Sequence, residues 1–207
     1  MQIQIGKNAT AVEQKAASEL KGHLNLLNIA GIQNMEFYIG AEIAKAAGIK
    51  EQELDKLGDE GFIIKRLGNK VILSGGAGAK RGTLYAVYEF LEWIAGWRWW
   101  TSEAETIPAN VIRIPEKLDK RYIPAFEYRE TLYRHLDEIK WLVRNRINGK
   151  CMTHGIPAEW GGYCKYDPFV HTIIGTLIPY ERVRSHPEWW AYAVSYTHLT
   201  LPTIYSV

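Results

Sequence analysis

Cysteine is nearly absent from these 207 residues: only Cys151 and Cys164 occur. Two thiols exclude a disulfide framework and a four-cysteine zinc site. They leave open one bridge across a short loop in an oxidising compartment, or two free thiols. Charge of one sign is equally scarce. With 25 Lys and Arg against 23 Asp and Glu, the formal net charge is +2, which gives no reason to expect nucleic acid or an anionic membrane as a partner. No apolar run reaches the roughly 18 to 20 residues of a membrane-spanning helix. The opening MQIQIGKNATAVEQ lacks the basic-then-apolar order of a secretory leader, and localisation stays open. Internal repeats and low-complexity stretches are missing too.

Aromatic residues, by contrast, are abundant. There are 8 Trp and 12 Tyr in a chain that is 47% hydrophobic and 23% charged. Clusters such as WRWW (Trp97 to Trp100) and PEWWAY (Pro187 to Tyr192) need either a large core or flat ligands to cover them.

Hydrophobic periodicity predicts the order of elements. MQIQIG alternates as a short strand. Asn8 or Thr10 caps a helix that puts Val12, Ala16, Leu20, Leu24 and Leu27 on one face and ends at Gly31. MEFYIG reads as a second strand, and AEIAKAAGIKEQELDKLG as a polar, helix-prone surface excursion. GFIIKRLG and KVILSGG are two strands joined by Gly68-Asn69, a hairpin turn that makes them antiparallel. A helix follows from Lys80 to about Ala95, with Leu84, Val87, Tyr88, Leu91 and Ile94 inward, and WRWW and VIRIPEK read as further strands. Pro108, Pro115 and Pro124 punctuate the stretch after it, placing a boundary near residues 118 to 123. Beyond lie a strand in AFEYRETL, a helix in LDEIKWLVRNRING and a strand in KCMTHG. That is a βαβ start, as at the opening of a parallel sheet or barrel. The expected fold class is α/β: a mixed sheet with helices packed on it (residues 1–118), then the first βα units of an incomplete (β/α)8 barrel (119–193).

Residues 194–207 have a different texture, VSYTHLTLPTIYSV, with no charge and no periodicity. They read as a translated transposase-type sequencing adapter. The codons GTC TCT TAT ACA CAT CTG ACG CTG CCG ACG give Val194 to Thr203 residue for residue. This segment is set apart from the fold as an adapter-derived tail, and the natural chain is expected to continue past about Tyr192.

The glycine elbow raises the main functional alternative. Gly76-x-Gly78-x-x-x-Gly82 follows a strand and opens a helix, the setting of a dinucleotide fingerprint, with Glu103 or Glu105 about where a ribose-binding acid would fall. The spacing is one residue too long, and a P-loop fails because Lys80-Arg81 is not followed by Ser or Thr. The antiparallel pair before it also breaks the run of parallel units such folds use. A tight turn that packs helix on sheet is the favoured reading.

One pattern is longer and more ordered than the elbow. It runs Gly61-Phe62-x-Ile64, the VILSGG strand, Arg81-Gly82-Thr83-Leu84-Tyr85-Ala86-Val87-Tyr88-x-Phe90-Leu91-Glu92, then Gly96-Trp97-Arg98-Trp99-Trp100 and Pro108. This stretch resembles the small α/β domain that precedes the catalytic barrel in α-glucuronidases of glycoside hydrolase family 67. It is similar, too, to the second domain of family 20 β-N-acetylhexosaminidases. The resemblance covers about Met1 to Lys117 and implies a non-catalytic domain that packs on a barrel. PAFEYRETLY, NRINGKCMTHG, the His171-Thr172 pair and SHPEWWAY resemble an uncharacterised bacterial, barrel-like family found after this small domain in polysaccharide-utilisation proteins. The resemblance implies a carbohydrate-active hydrolase with an oligo- or polysaccharide substrate; a non-catalytic carbohydrate-binding protein is the alternative.

Glycosidic cleavage typically uses two carboxyl groups flanking the bond, and a full barrel takes roughly 250 residues. Residues 123–192 hold only its beginning, so the catalytic pair is not expected here. Glu127, Glu130, Glu159, Asp167 and Glu188 read as surface charges, ion-pair partners or loop caps. The candidate substrate-binding residues are Arg129, His154 and Trp160. Arg129 stands where family 20 enzymes carry a sugar-binding arginine, although their Arg-Gly is Arg129-Glu130 here; it offers a bidentate pair to hydroxyls or a uronate, or forms a buried structural ion pair. His154 follows a strand as a substrate contact or an ordinary loop histidine. Trp160 in EWGGY stacks on a pyranose or packs against its own loop. His171 and His186 lack ligand spacing, and neither a metal nor another cofactor is expected.

Overall fold

The computed structural model describes residues 1–131, 138–149, 155–165 and 177–189. Met1–Lys165 packs as one unit and Tyr166–Val207 as another. In the second unit, a helix at Tyr180–Ser185 is followed by a 3-10 turn at Pro187–Trp189. His186 Nδ1 there lies 2.8 Å from the Glu188 carboxylate. His154, His171, Cys151 and the tail 194–207 lie outside the described residues.

Strand β1 (Gln2–Ile5) leads into helix α1 (Ala11–Leu24). The sequence Thr10-x-x-Glu13 forms a full capping box: Glu13 N donates to Thr10 Oγ1 at 3.2 Å and Thr10 N to Glu13 Oε2 at 2.9 Å. The other Glu13 oxygen accepts from Ala41 N at 2.9 Å, so one carboxylate caps two helices. Gly40 is needed at that junction, because its φ is 101° and a side chain would strike Glu13.

Strand β2 (Glu36–Ile39) is followed by short helices α2 (Ala41–Ala46) and α3 (Glu51–Asp55), then strands β3 (Phe62–Leu67) and β4 (Lys70–Gly75). The sheet takes in a further strand, β7, at Asp119–Tyr122, in the order β1-β2-β4-β3-β7. β1, β2 and β4 run parallel; β3 is antiparallel to both β4 and β7. The mixed sheet with helices packed on it is the expected class, and Gly68-Asn69 makes the antiparallel turn. The chain leaves the sheet after Tyr122.

Alternation along the strands sends side chains to two faces. Phe37, Ile39, Phe62, Ile64, Val71 and Leu73 join the main core beneath α1 and helix α4 (Gly82–Glu89). Tyr38, Ile63 and Ile72 point to the other face, where Ala44, Ile49, Leu54 and Leu57 cover them. The segment expected as a surface excursion therefore closes the second face of the sheet. Its few apolar residues are spaced to cover three strand side chains, and its many charges hide that in the sequence.

Every residue of α4 is buried, as befits a helix covered all round. It ends in a π-helical turn at Phe90–Ile94, with Ala95 N donating to Phe90 O at 3.0 Å. Strands β5 (Arg98–Trp99) and β6 (Glu105–Thr106) form a small separate hairpin. Of VIRIPEK only Ile112 bridges, to Ile29. Helix α5 spans Ile139–Arg144. Residues 123–131 carry no strand, and Gly149 and Cys164 make an isolated parallel bridge.

His23 shows how tightly the aromatic cluster closes over α1. Its ring meets Trp97 edge-on at 4.6 Å and Trp99 at 5.6 Å, and Nδ1 lies 2.7 Å from Glu19 O. Burial holds the imidazole below its usual 6.5; the Glu19 carbonyl pulls the other way and Arg144 reinforces the drop. The unfolded chain binds this proton first as the pH falls, so the stability is present above 6.5 and is lost below it. Burial pushes Glu19 up, but Arg144 and Lys15 outweigh it and hold that carboxyl below its usual 4.5, adding a loss in the same direction at lower pH. We expect thermal unfolding followed from about pH 7 to about pH 5 to show a falling Tm, with a shallower fall in His23→Phe. Equal slopes in the two proteins would show that His23 does not titrate in that window.

Candidate functional site

The glycine elbow is built for backbone packing. At Gly75 a Cβ would sit 2.6 Å from Thr83 N, and at Gly76 it would sit 3.0 Å from Leu54 O. At Gly82 it would strike Gly61 O and approach the Gly75 Cα to 2.9 Å. Strand β4, helix α4 and the turn before β3 thus touch main chain to main chain. A phosphate cradle needs free amides at the helix start. Here Arg81 N and Gly82 N donate to Asp59 O at 2.9 and 3.1 Å, and Gly75 N donates to Thr83 Oγ1 at 3.0 Å.

The elbow instead delivers Arg81, whose side chain is 3% exposed, to Glu60. Arg81 Nε donates to Glu60 Oε1 at 2.5 Å, Nη1 to Gly161 O at 2.8 Å and Nη2 to the Cys164 sulfur at 3.3 Å. Burial pushes the guanidinium pKa down, but the Glu60 carboxylate overcomes this and raises it above its usual value. Glu60 takes two more donors from further along the chain: Arg129 Nη2 and Asn148 Nδ2, each at 2.6 Å. Fully buried Asn148 also donates to Glu127 O at 2.8 Å, accepts from Arg129 N at 2.8 Å, and through its carbonyl accepts from Cys164 N. One carboxylate therefore gathers three segments remote in sequence.

Arg129, a sequence candidate for substrate binding, belongs to this cluster. Arg129 donates from all three guanidinium nitrogens within the chain: Nη2 to Glu60, Nε to Arg146 O at 2.8 Å and Nη1 to Phe126 O at 2.5 Å. It is thus ion-paired with Glu60 within the chain. Trp160 is 7% exposed, packed in the main core with Lys15 Nζ 4.1 Å above its ring; it packs rather than presenting an open face. His154 lies outside the described residues. Sequence reasoning missed Glu60 and Asn148 altogether. Glu60 stands in GDEG, which reads as a solvated turn. Arg81-Gly82-Thr83 at the head of α4 was visible, and a buried arginine requires an acid nearby.

Beside this cluster lies an open cleft of about 400 Å³, lined by Asp59, Lys80, Phe126, Tyr163 and Cys164 among others. Its Asp59 pairs with Lys80 at 2.9 Å, and its Glu60 is already a triple acceptor. Among the described residues no group of three or more His, Cys, Asp or Glu is placed to hold a metal ion. Nor is any helix among them long and apolar enough to cross a membrane.

Residues 99–197 match the family model of a domain of unknown function, DUF4838. Over just under half its length, then, the chain is similar to that family. The match takes in Arg129, Asn148, Trp160 and Cys164 and leaves Glu60 and Arg81 outside it. It carries no activity with it. No curated protein matches the chain.

Removing Glu60 would strand a buried guanidinium. Glu60→Ala is expected to cost about 3–5 kcal/mol. Arg129→Ala should cost about 1–3 kcal/mol, because Glu60 keeps Arg81 and Asn148. Denaturant midpoints measure both, and an Arg129→Ala protein as stable as the parent would remove the ion-pair assignment.

Proposed function

We propose that the chain is the platform portion of a carbohydrate-active hydrolase, in which residues 1–118 form a non-catalytic α/β domain and the following segment begins the catalytic one. The reading rests on the resemblance of the stretch from Gly61 to Pro108 to the small domain of the α-glucuronidases and β-N-acetylhexosaminidases. One observation carries its mechanistic half: the buried carboxylates Glu60 and Glu89 and the half-buried Glu19 are held by guanidinium or ammonium groups. Glu60 is held by Arg81 and Arg129, Glu19 by Lys15 and Arg144, and Glu89 by Arg146 and Lys120. A glycosidase acid must be able to carry a proton near neutral pH, and its partner must face the scissile bond. Carboxylates locked against arginine do neither.

The hydrolase reading also accounts for the elbow, which packs a helix on a sheet and offers no free amides at Arg81 and Gly82. A nucleotide reading would need them.

Aryl glucuronides, aryl N-acetylglucosaminides and glucuronoxylan oligosaccharides, followed by product chromatography, provide the test. The chain itself is expected to release no product, whereas a natural reading frame that extends the same residues through a whole barrel should cleave one of these classes. Turnover by the chain alone would overturn the assignment of its carboxylates. An extended frame without paired acids at strand ends would turn the reading to a carbohydrate-binding protein. A thermal shift with NAD, NADP or ATP would reinstate the nucleotide alternative.

A further inference from the structure

Arg66 stands where the fold calls for an apolar side chain. Strand alternation puts Phe62, Ile64 and Arg66 of β3 on one face, and Phe62 and Ile64 join the main core there. Val71, the register partner of Arg66 on β4, joins it too. The third place in the row is taken by a half-buried guanidinium. Its Nε donates to Gly68 O at 2.8 Å and its Nη1 to Ile114 O at 2.5 Å. These carbonyls fix the plane of the fork but leave its charge uncompensated, and Nη2 has no partner among the described residues. By contrast, Arg81, Arg129, Arg144 and Arg146 each meet a carboxylate. Arg98 also meets carbonyls only, yet the Trp93 ring lies 5.4 Å from its guanidinium.

Arg66 lines a cavity of about 490 Å³, within the range of small-ligand sites. The cavity lies where the β3–β4 turn, the loop at residues 30–35 and the segment 113–116 meet. Buried Met35 and Ile114 supply an apolar part of its lining. Its second cation is Arg113, which is exposed and has no hydrogen bond or ion pair among the described residues. Its one carboxylate is Glu116, exposed and equally without a partner among them. Glu36 is not part of the lining, and its oxygens accept from Gln4, Tyr38 and Asn69.

Two cations against one carboxylate leave the lining with one positive charge in excess. A neutral ligand would leave the charge of Arg66 uncompensated, and a cation would add to the excess. A dianion would overshoot it and meet Glu116. A monoanion cancels it, and the planar fork of Arg66 suits the two oxygens of a carboxylate. We propose that this cavity binds the carboxylate of a small organic acid, with Arg66 as the fixed fork and Arg113 as the second charge. Met35 and Ile114 then pack against the carbon skeleton of the acid. Every lining residue falls between Ala30 and Glu116, so the site belongs to the α/β domain alone and does not depend on the hydrolase reading.

The test is calorimetric titration of the whole chain with butyrate, benzoate and gluconate, each beside its neutral amide, and with inorganic phosphate, at low and at high salt. At least one of the acids is expected to bind, more weakly as salt rises, with its amide about tenfold weaker or more. Arg66→Lys keeps the charge and loses the fork, and should weaken binding by about tenfold. Arg113→Gln, at an exposed position that holds nothing in the fold, should weaken it by about two- to fivefold. Glu116→Gln should strengthen it by a similar factor and raise the relative affinity for phosphate. Should Arg66→Lys fail to fold, the opposite signs at Arg113 and Glu116 carry the test. The proposal is overturned if none of the acids binds, if the amides bind as tightly, or if phosphate binds the parent more tightly than every acid. It is overturned as well if Arg113→Gln and Glu116→Gln leave binding unchanged or shift it in the same direction.

Discussion

The Glu60 carboxylate is the point on which the first unit turns. It sits 8% exposed in the turn before β3 and accepts from Arg81, Arg129 and Asn148. Burying a carboxylate is costly unless its lone pairs are matched, and the same holds for the buried guanidinium opposite. Each partner is tolerable only because the others are present. The elbow glycines now have a physical purpose: by letting β4, α4 and the Leu57–Gly61 turn touch through their main chains, they bring the base of Arg81 close enough to reach Glu60. A bulkier elbow would push the helix off the turn and leave the charge unmatched.

The same device is repeated with one polarity. Glu19 on α1 holds Arg144, Glu89 on α4 holds Arg146, and Glu92 in the π-helical turn holds Arg146 as well. Together with Glu60 and Arg129, the acids come from the sheet-and-helix layer and the arginines from the chain after β7. Docking by buried or half-buried ion pairs of fixed sense specifies register more than it adds stability, since desolvation offsets much of the attraction. It also explains why residues 123–131 need no strand ladder to be held. Their anchoring passes through Asn148, whose side chain takes the place of a neighbouring strand for Arg129 N and Glu127 O.

Local signals in the sequence were sufficient for four of the sheet's five strands. Asn8 or Thr10 marked the start of α1, Gly68-Asn69 marked the hairpin, and the apolar run in KVILSGG marked a strand, which the fold buries on both faces. Less legible was anything that depends on distant charges meeting. The Ala-rich, charged stretch at residues 41–58 looks solvated because only Ala41, Ala44, Ile49, Leu54 and Leu57 of it are buried in the cluster on that face of the sheet. Asp119–Tyr122 looks like a linker because its side chains, on an edge strand, are largely exposed; its place comes from backbone pairing with β3. Arg129 was visible as a residue of interest, but a guanidinium that binds a ligand and one that binds a glutamate have the same sequence. Only Glu60, 69 positions away, separates the two, and nothing local points to it.

Chemistry follows from the same matching of charge. A reactive carboxyl needs an environment that leaves its protonation unsettled, through burial without a cation or beside another acid. In this unit burial and cations arrive together: where Glu19 loses solvent it gains Arg144 and Lys15, and the result is a carboxyl held more firmly ionised than in water. The arrangement suits a rigid support and is unsuited to proton transfer. That rigidity follows from the pairing of Glu19, Glu89 and Glu92 on the helical layer with arginines of the chain that crosses it.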